Sequence, residues 1–441
     1  MICNHTLFKT ESLCPVCLKK IDADIISQGS KFYMVKSCPE HGSFQTILWN
    51  GSTPMDRWML KKERAFIKNP QVPVEKGCPY DCGLCSEHRQ HTCTALIEIT
   101  QSCNLHCRFC FANSEACGEK DPSVEQINFL YQCVKKASGI CNIQLSGGEP
   151  TLRDDLPQII QSGKEIGFKF IQINTNGIRL AQDEGFVEQL KAAGLDSVFL
   201  QFDGTNDVIY RKLRGRRLFT LKEKAIENCR KYGIGVILVP TLVPGINTNN
   251  IGQIIDFALN HMEAVRGVHF QPVSYFGRIP KQPDESDRIT LSELMDEIER
   301  QTAGKIKAKD LKPPQCENSL CSFHGNFLFL GNGKLTAVSK NPSCCKKADE
   351  GALKAKVYVS KNWATRQTES TEGSDWDKIL NSIHRNSFCI SAMAFQDIWN
   401  VDLNRIKDCC IHVVSPQGKL IPFCIYNITD VNGKSLYRTR S

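Results

Sequence analysis

The cysteines of this sequence fall into short groups whose spacing is that of metal ligands. Cys103, Cys107 and Cys110 have the spacing C-x3-C-x2-C and follow an apolar run at 95–100. Three thiolates can hold three irons of a [4Fe–4S] cube and leave the fourth iron open to an external ligand. An open coordination position is typical of a catalytic rather than a structural metal site. We therefore predict a catalytic iron–sulfur cluster on these three residues.

A second group lies just upstream and has the same spacing with a fourth thiol. Its members are Cys78, Cys82, Cys85 and Cys93. Four thiolates would close a cubane cluster and leave it for electron transfer or for structure. We predict an auxiliary iron–sulfur cluster here, with zinc as the alternative metal.

Two ligand pairs near the N-terminus have the spacing of a mononuclear metal site. They are Cys14 with Cys17, and Cys38 with His41. The alternating stretch between the pairs predicts a hairpin that brings them together. Three thiolates and one imidazole suit zinc, whereas rubredoxin-like iron would favour a fourth cysteine. A metal would also stabilise a module too short to build a large core.

The C-terminal third holds cysteines that are spread more widely along the chain. A second auxiliary cluster could form if folding brings together Cys316, Cys321, Cys410 and Cys424. The alternative is a cysteine-rich core without metal.

Composition narrows the class of protein. The chain has 441 residues, 23 of them Cys, with a formal net charge of +8 and 41% hydrophobic residues. Cysteine is too dilute for a small disulfide scaffold, and the hydrophobic content argues against disorder. We find no secretory signal and no apolar run long enough for a membrane span. We expect a cytoplasmic protein, attached peripherally to a membrane if its substrate is a lipid.

From residue 95 onward, short apolar strands alternate with amphipathic helices. The predicted strands lie at 97–99, 142–146, 170–173, 197–202, 236–239 and 268–271. Six β–α units of this kind predict a parallel sheet covered by helices, either open or closed into a partial barrel. In such folds the chemistry collects at the carboxyl ends of the strands. The Gly147-Gly148-Glu149 turn lies there, and its glycines would let backbone approach a ligand closely.

The cysteine triad with Phe109 before its last member, the glycine turn and the β–α repeat together resemble the radical S-adenosylmethionine (SAM) enzymes. The resemblance covers about residues 95–300 and implies a partial (β/α)6 TIM-type barrel. It implies that the triad cluster reductively cleaves SAM to a 5′-deoxyadenosyl radical, which abstracts hydrogen from an unactivated C–H of the substrate. Phe109 would lie near the adenine. The other implied SAM contacts are Gly147, Gly148, Glu149, Asn174, Asn176 and Gln201.

The flanking motifs resemble the tetraether lipid synthase group and, in the tail, the TrsS-type radical SAM (seleno)proteins. The first resemblance implies a rubredoxin-like module, two auxiliary clusters and radical C–C bond formation between lipid chains. The alternatives are a radical SAM methyltransferase acting on a pterin or another small molecule, and a peptide-modifying enzyme. A zinc-knuckle nucleic-acid-binding protein is the alternative of another class, and six β–α units are the wrong scaffold for it.

These patterns predict four segments: a metal-knuckle module at 1–60, a linker with the auxiliary motif at 61–94, the barrel at 95–303 and a cysteine-rich region at 304–441. The expected partners are a small-molecule, lipid or peptide substrate and an electron donor of the flavodoxin or ferredoxin type, with no nucleic acid. Arg214 and Arg216 are candidate contacts to an anionic group of the substrate. A solvated basic surface is the alternative for both.

Overall fold

The N-terminal module is an antiparallel sheet that carries the two ligand pairs at one end. The computed structural model describes residues 5–116, 120–330, 334–338, 348–364 and 385–438. The four strands lie in chain order, so each turn joins neighbours. They are β1 (His5–Leu13), β2 (Lys20–Gln28), β3 (Lys31–Cys38) and β4 (Gly42–Trp49).

The six predicted β–α units are confirmed, and their strands are parallel to their neighbours. The strands are β5 (Thr94–Thr100), β6 (Asn142–Gly147), β7 (Ile171–Thr175), β8 (Ser197–Gln201), β9 (Gly235–Val239), the short β10 (Thr241–Leu242) and β11 (Val265–Pro272). The helices are α1 (Met55–Trp58), α2 (Val124–Ser138), α3 (Leu156–Ile166), α4 (Ile178–Gln182), α5 (Glu184–Ala192), α6 (Asp207–Arg214), α7 (Phe219–Lys231), α8 (Ile251–Asn260) and α9 (Leu291–Gln301).

Local sequence explains where these helices begin and which face they bury. Ser123 caps α2 by accepting a hydrogen bond from the backbone N–H of Gln126, whose side chain returns one to the cap. The buried residues of α2 recur every three or four positions, and they pack on the sheet. Thr290 and Glu293 form the same reciprocal cap at α9.

The C-terminal region extends the barrel sheet at both edges. Its elements are β12 (Ser322–Leu330), β13 (Lys334–Ala337), α10 (Ala348–Trp363), β14 (Ser387–Met393), α11 (Leu403–Ile406), β15 (Ile411–Val414), β16 (Leu420–Pro422) and α12 (Phe423–Asn427). β14 pairs parallel to β11, and β15 pairs parallel to β5. One sheet of 12 strands therefore joins the barrel and the C-terminal region, and pairing removes two exposed edges.

Helix α10 lies across the amino-terminal end of the barrel strands. It contacts β6, β9, β11 and β14. Asn142, the first residue of β6, donates a hydrogen bond to the carbonyl oxygen of Lys356 at 3.3 Å. The helix thereby covers one end of the barrel interior and leaves the carboxyl end of the strands to the cysteine triad. None of the helices in the described residues is long and apolar enough to cross a membrane.

Candidate active site and metal centres

The cysteine triad lies on a loop after β5 that is held by backbone hydrogen bonds to residues 115 and 278. Cys103 N–H donates to the carbonyl oxygen of Glu115 at 2.8 Å. Cys110 and Arg278 exchange two backbone hydrogen bonds, of 3.1 and 3.0 Å. The loop therefore presents its thiols from a fixed backbone, as a metal-cluster site requires.

Arg278 is a positioning residue that sequence reasoning missed. Its Nε donates to the carbonyl oxygen of Cys107 at 2.9 Å, and its Nη2 donates to that of Ser114 at 3.0 Å. The preceding Gly277 has a φ of 54°, and a Cβ there would lie 2.6 Å from the carbonyl oxygen of Cys110. The Gly-Arg pair at 277–278, shortly after the last barrel strand, was the available signal.

The triad is electrostatically suited to a cationic cluster. Burial, together with the Glu149 carboxylate and the neighbouring thiols, raises the pKa of Cys103 to about 12. The three thiols act on one another electrostatically, and a positive centre would compensate the charge of their thiolates. Burial lowers the pKa of Arg214, but Asp203 and Cys107 raise it above its usual value, so its guanidinium stays charged beside the triad.

Arg214 is engaged inside the protein, which differs from its predicted contact to the substrate. The residue is 5% exposed, and its Nε and Nη2 donate to the two carboxylate oxygens of Asp203 at 2.7 and 2.6 Å. This bidentate pair uses the donors that an anion would need. Arg216 is exposed in the turn after α6. Its predicted contact to the substrate stays a prediction.

The glycine turn supports the triad loop through close backbone packing. A Cβ on Gly147 would collide with the carbonyl oxygen of Thr100, and one on Gly148 with that of Ser102. Glu149 is 1% exposed and accepts hydrogen bonds from Thr175 Oγ1 and from the backbone N–H of Asn176, both at 2.6 Å. The turn therefore ties the ends of β5, β6 and β7 together.

A cavity of about 650 Å³ collects the residues predicted to contact SAM. Phe109 lies at its wall with its ring centroid 6.1 Å from that of Tyr275, edge to face. Asn176 Nδ2 donates to Asn104 Oδ1 at 2.7 Å. All the predicted SAM contacts line the cavity: Phe109, Gly147, Gly148, Glu149, Asn174, Asn176 and Gln201, and so does the triad itself. Their individual roles toward SAM stay predictions.

A second thiol group opens into the same cavity from its other end. The ligand atoms of Cys93, Cys316 and Cys410 all lie within 4.8 Å of one another, and the Sγ atoms of Cys93 and Cys410 are 3.1 Å apart. The predicted grouping was wrong here, because it joined Cys93 to the upstream motif and the other two to Cys321 and Cys424. Cys93 and Cys410 directly precede β5 and β15, whose parallel pairing brings the thiols together.

The surroundings of this group favour a bound cation. Hydrogen bonds with Cys316 and Cys410 hold the pKa of Cys93 well below its usual value. Lys62 is half-buried nearby and donates to the backbone carbonyl oxygens of Pro314 and Glu317. Burial lowers the pKa of Lys62. The three thiols form a donor set that a metal cluster fits, and a carboxylate oxygen of Glu317 lies 3.7 Å from Cys410 Sγ.

The remaining predicted cluster ligands occupy two other places. Cys78, Cys82 and Cys85 lie on one loop, where the Cys82 N–H donates to the hydroxyl of Tyr437 at 3.0 Å. Burial raises the pKa values of Cys409 and Cys424, and the neighbouring Cys321 raises both as well. Arg405 Nη2 lies 3.3 Å from Cys321 Sγ. Cys409 was absent from the predicted cluster ligands. Its position next to Cys410 in the sequence was the signal that could have included it.

Replacing Cys410 with alanine should lower the iron and acid-labile sulfide content of the purified protein while SAM cleavage by the triad persists. The Cys410 thiol is buried with those of Cys93 and Cys316. None of these three residues belongs to the triad. Iron and sulfide analysis of the anaerobically prepared protein measures the loss. The matched control is Cys229→Ala, since Cys229 is a buried thiol of α7 in the apolar core. Equal metal content in both variants would contradict the assignment.

The N-terminal ligand pairs meet at one end of their sheet. Cys14 and Cys17 lie in the turn between β1 and β2, and Cys38 and His41 lie at the turn between β3 and β4. Their ligand atoms are within 4.8 Å of one another, with His41 Nδ1 3.4 Å from Cys38 Sγ. Three thiols and one imidazole at this spacing fit tetrahedral zinc.

Replacing His41 with alanine should remove zinc from this site and leave the iron content unchanged. Loss of one of four ligands opens a structural zinc site, whose affinity depends on a closed shell. Elemental analysis of the purified variant measures both metals. His261→Ala, in which the lost imidazole contacts the Phe257 carbonyl rather than thiols, is the control. Wild-type zinc content in the His41 variant would contradict the prediction.

Comparisons with known proteins agree with this arrangement. Residues 97–258 match the family model of the radical SAM superfamily, and residues 6–50 match that of the HMPTM N-terminal zinc ribbon domain. The first match contains the cysteine triad, and the second contains the two N-terminal ligand pairs.

Two curated relatives and one solved structure illustrate the similarity. The chain is 35% identical, over 95% of its length and 93% of the relative's, to the 7,8-dihydro-6-hydroxymethylpterin dimethyltransferase of Methanocaldococcus jannaschii. It is 27% identical, over 62% of its length and 87% of the relative's, to a probable GTP 3′,8-cyclase of Sulfolobus acidocaldarius. The crystal structure of SuiB from Streptococcus suis matches 48% of this chain and 46% of SuiB, with 17% identity and a TM-score of 0.39.

Proposed function

This chain belongs to the radical SAM superfamily, in the family of the M. jannaschii pterin dimethyltransferase, and we propose that it methylates a pterin. The observation that carries the proposal is the similarity to that relative, which extends through the zinc ribbon, the barrel and the C-terminal region. The predicted nucleic-acid-binding alternative is wrong, because the chain is an enzyme of this superfamily. The predicted lipid coupling has no support among these relatives, which favour the methyltransferase alternative.

The lining of the cavity also favours a polar heterocycle over a lipid chain. Gln144, Gln172 and Gln271 line it together with His269. An apolar chain would leave the buried Gln172 amide N–H without a hydrogen bond, at a cost of about 1–3 kcal/mol. A pterin carries ring nitrogens, a carbonyl and an amino group, which can satisfy donors and acceptors alike.

The bound cluster and SAM together supply a hydrogen-abstracting radical and a methyl group. The chain's own residues do the rest. Arg278 fixes the triad loop, and Glu149 ties the neighbouring strand ends to it. Helix α10 covers the far end of the cavity, which keeps water from a reactive species. An external donor of the flavodoxin or ferredoxin type belongs to the proposal as the source of electrons.

Product analysis tests the proposed reaction. Hydrogen abstraction followed by methyl transfer consumes two SAM and two electrons per methyl group, and yields methylated pterin, S-adenosylhomocysteine, methionine and 5′-deoxyadenosine. The reconstituted enzyme would be incubated anaerobically with 6-hydroxymethyl-7,8-dihydropterin, dithionite and SAM labelled with a CD3 group. We expect pterin that carries one or two CD3 groups, together with S-adenosylhomocysteine. Unlabelled pterin with methionine and 5′-deoxyadenosine as the sole SAM products would overturn the proposal.

A further inference from the structure

The half of the cavity nearest the amino-terminal ends of the barrel strands, away from the triad, has an unusual lining for a parallel barrel. Barrel interiors are normally filled by layers of Val, Ile and Leu. Here Gln144, Gln172 and Phe199 line the space, as do His269 of β11 and Ser391 of β14. These residues leave a chamber with polar and aromatic walls. Such a chamber requires an occupant that can form hydrogen bonds.

Gln172 carries one of the buried polar groups of the cavity lining that are unpartnered among the described residues; Gln201 and Trp363 carry others. The residue is 3% exposed, and its Nε2 finds no hydrogen-bond partner in the part of the chain that the structure describes. The neighbouring amides are used: Gln144 Nε2 donates to Asn174 Oδ1, and Asn174 Nδ2 donates to Ser146 Oγ at 3.2 Å. Buried polar groups in native proteins are nearly always hydrogen-bonded, so the free donor points to an acceptor on a ligand.

Three aromatic side chains line the cavity near Gln172, and we call them the aromatic floor. It consists of Phe199, His269 and Trp363, with the Phe199 ring centroid 5.4 Å from that of Trp363 and 5.2 Å from that of His269. Gln172 pairs in register with Ser197, and Phe199 is two residues further along the same strand. Phe199 therefore lies about 7 Å from the level of Gln172, toward the carboxyl ends of the strands. Flat ring systems pack well against such surfaces.

The imidazole in this floor is uncharged and held in place. His269 Nδ1 lies 2.8 Å from Ser391 Oγ, and burial lowers the pKa of His269 to about 4. The His269 imidazole therefore adds no positive charge to the chamber at neutral pH. A neutral heterocycle fits such a chamber better than a phosphate or a carboxylate does.

We propose that Gln172 and the aromatic floor form the subsite for the ring system of the pterin, in which the Gln172 amide donates a hydrogen bond to a ring nitrogen or carbonyl oxygen. This inference rests on the proposed function and names a specificity-determining residue for it. A saturated lipid chain offers no acceptor and would leave the amide unpaired. Gln172 therefore distinguishes a heterocycle from a chain of similar width.

Binding measurements on two variants of the complete enzyme test this subsite. Gln172→Leu keeps the side-chain size and removes the donor, and Gln172→Glu replaces the donor by an acceptor. Equilibrium dialysis of 6-hydroxymethyl-7,8-dihydropterin would be carried out anaerobically with SAM present. We expect about tenfold weaker pterin binding by each variant, the loss of one hydrogen bond to a buried partner. Gln161→Leu, at an exposed position of α3, is the control and should bind as the wild type does.

Two further readouts separate recognition from general damage. The KM for the pterin should rise in both Gln172 variants, while the SAM dissociation constant and the iron content should stay at wild-type values. Wild-type pterin affinity in both variants would overturn this inference and leave the proposed function standing. Failure of the wild-type enzyme to bind the pterin would overturn both.

Discussion

Replacing Cys107 with alanine should abolish SAM cleavage. Cys107 lies in the centre of the triad loop, its backbone carbonyl is held by Arg278, and its thiol lies beside Arg214. Mutating residues that hydrogen-bond to metal ligands already lowers metal affinity or activity roughly 10–100-fold. The loss of a direct ligand should therefore lower SAM cleavage by more than that range. 5′-Deoxyadenosine formation in the presence of dithionite measures the effect.

The control for this variant is again Cys229→Ala, which removes a buried thiol of the apolar core that is in none of the thiol groups found among the described residues. It should cleave SAM at the wild-type rate. Far-UV circular dichroism of both variants reports on folding, since the triad lies on a loop outside the helices and strands. SAM cleavage at the wild-type rate by the Cys107 variant would contradict the assignment of the catalytic cluster.

Replacing Arg214 with glutamine should lower the stability of the barrel. Asp203 is 0% exposed, and both its carboxylate oxygens accept hydrogen bonds from Arg214. Removing one partner of a buried ion pair leaves an uncompensated charge, which costs about 3–5 kcal/mol. Urea unfolding followed by circular dichroism under anaerobic conditions measures the shift in midpoint.

Two variants make this second experiment specific. Arg217→Gln changes an exposed arginine only three residues away and should leave the midpoint unchanged. The double variant Asp203→Asn with Arg214→Gln removes both charges and should recover part of the lost stability. If the midpoints of the Arg214 and Arg217 single variants coincide, the buried pair does not stabilise the barrel as argued.

The local part of the fold was predictable because the sequence pattern of each β–α unit is complete within about 30 residues. The caps at Ser123 and Thr290, and the short apolar strands between the helices, depend on neighbours in the chain. The two added strands β14 and β15 were missed for the opposite reason. Their partners β11 and β5 are far away along the chain, and pairing over such distances leaves no periodic signal in sequence.

The metal sites show the same limit. The N-terminal set was predicted correctly as a spatial group, since its two pairs lie on adjacent turns of one small sheet. Cys93 and Cys410 are 317 positions apart, and spacing alone assigned them to different clusters. A weaker signal was present: each residue directly precedes an apolar run that begins a strand. Parallel pairing of those two runs would have placed the thiols together.

Strand β5 separates two of the metal centres by a fixed length. Cys93 precedes its first residue and Cys103 follows its last, and its seven residues span about 23 Å. One residue inserted into β5 would turn its cavity-facing side chains to the outer face of the sheet. It would also shift Cys93 out of register with Cys410. We therefore expect the loops that follow the helices to vary in length among relatives of this protein. The number of residues between the counterparts of Cys93 and Cys103 should stay constant.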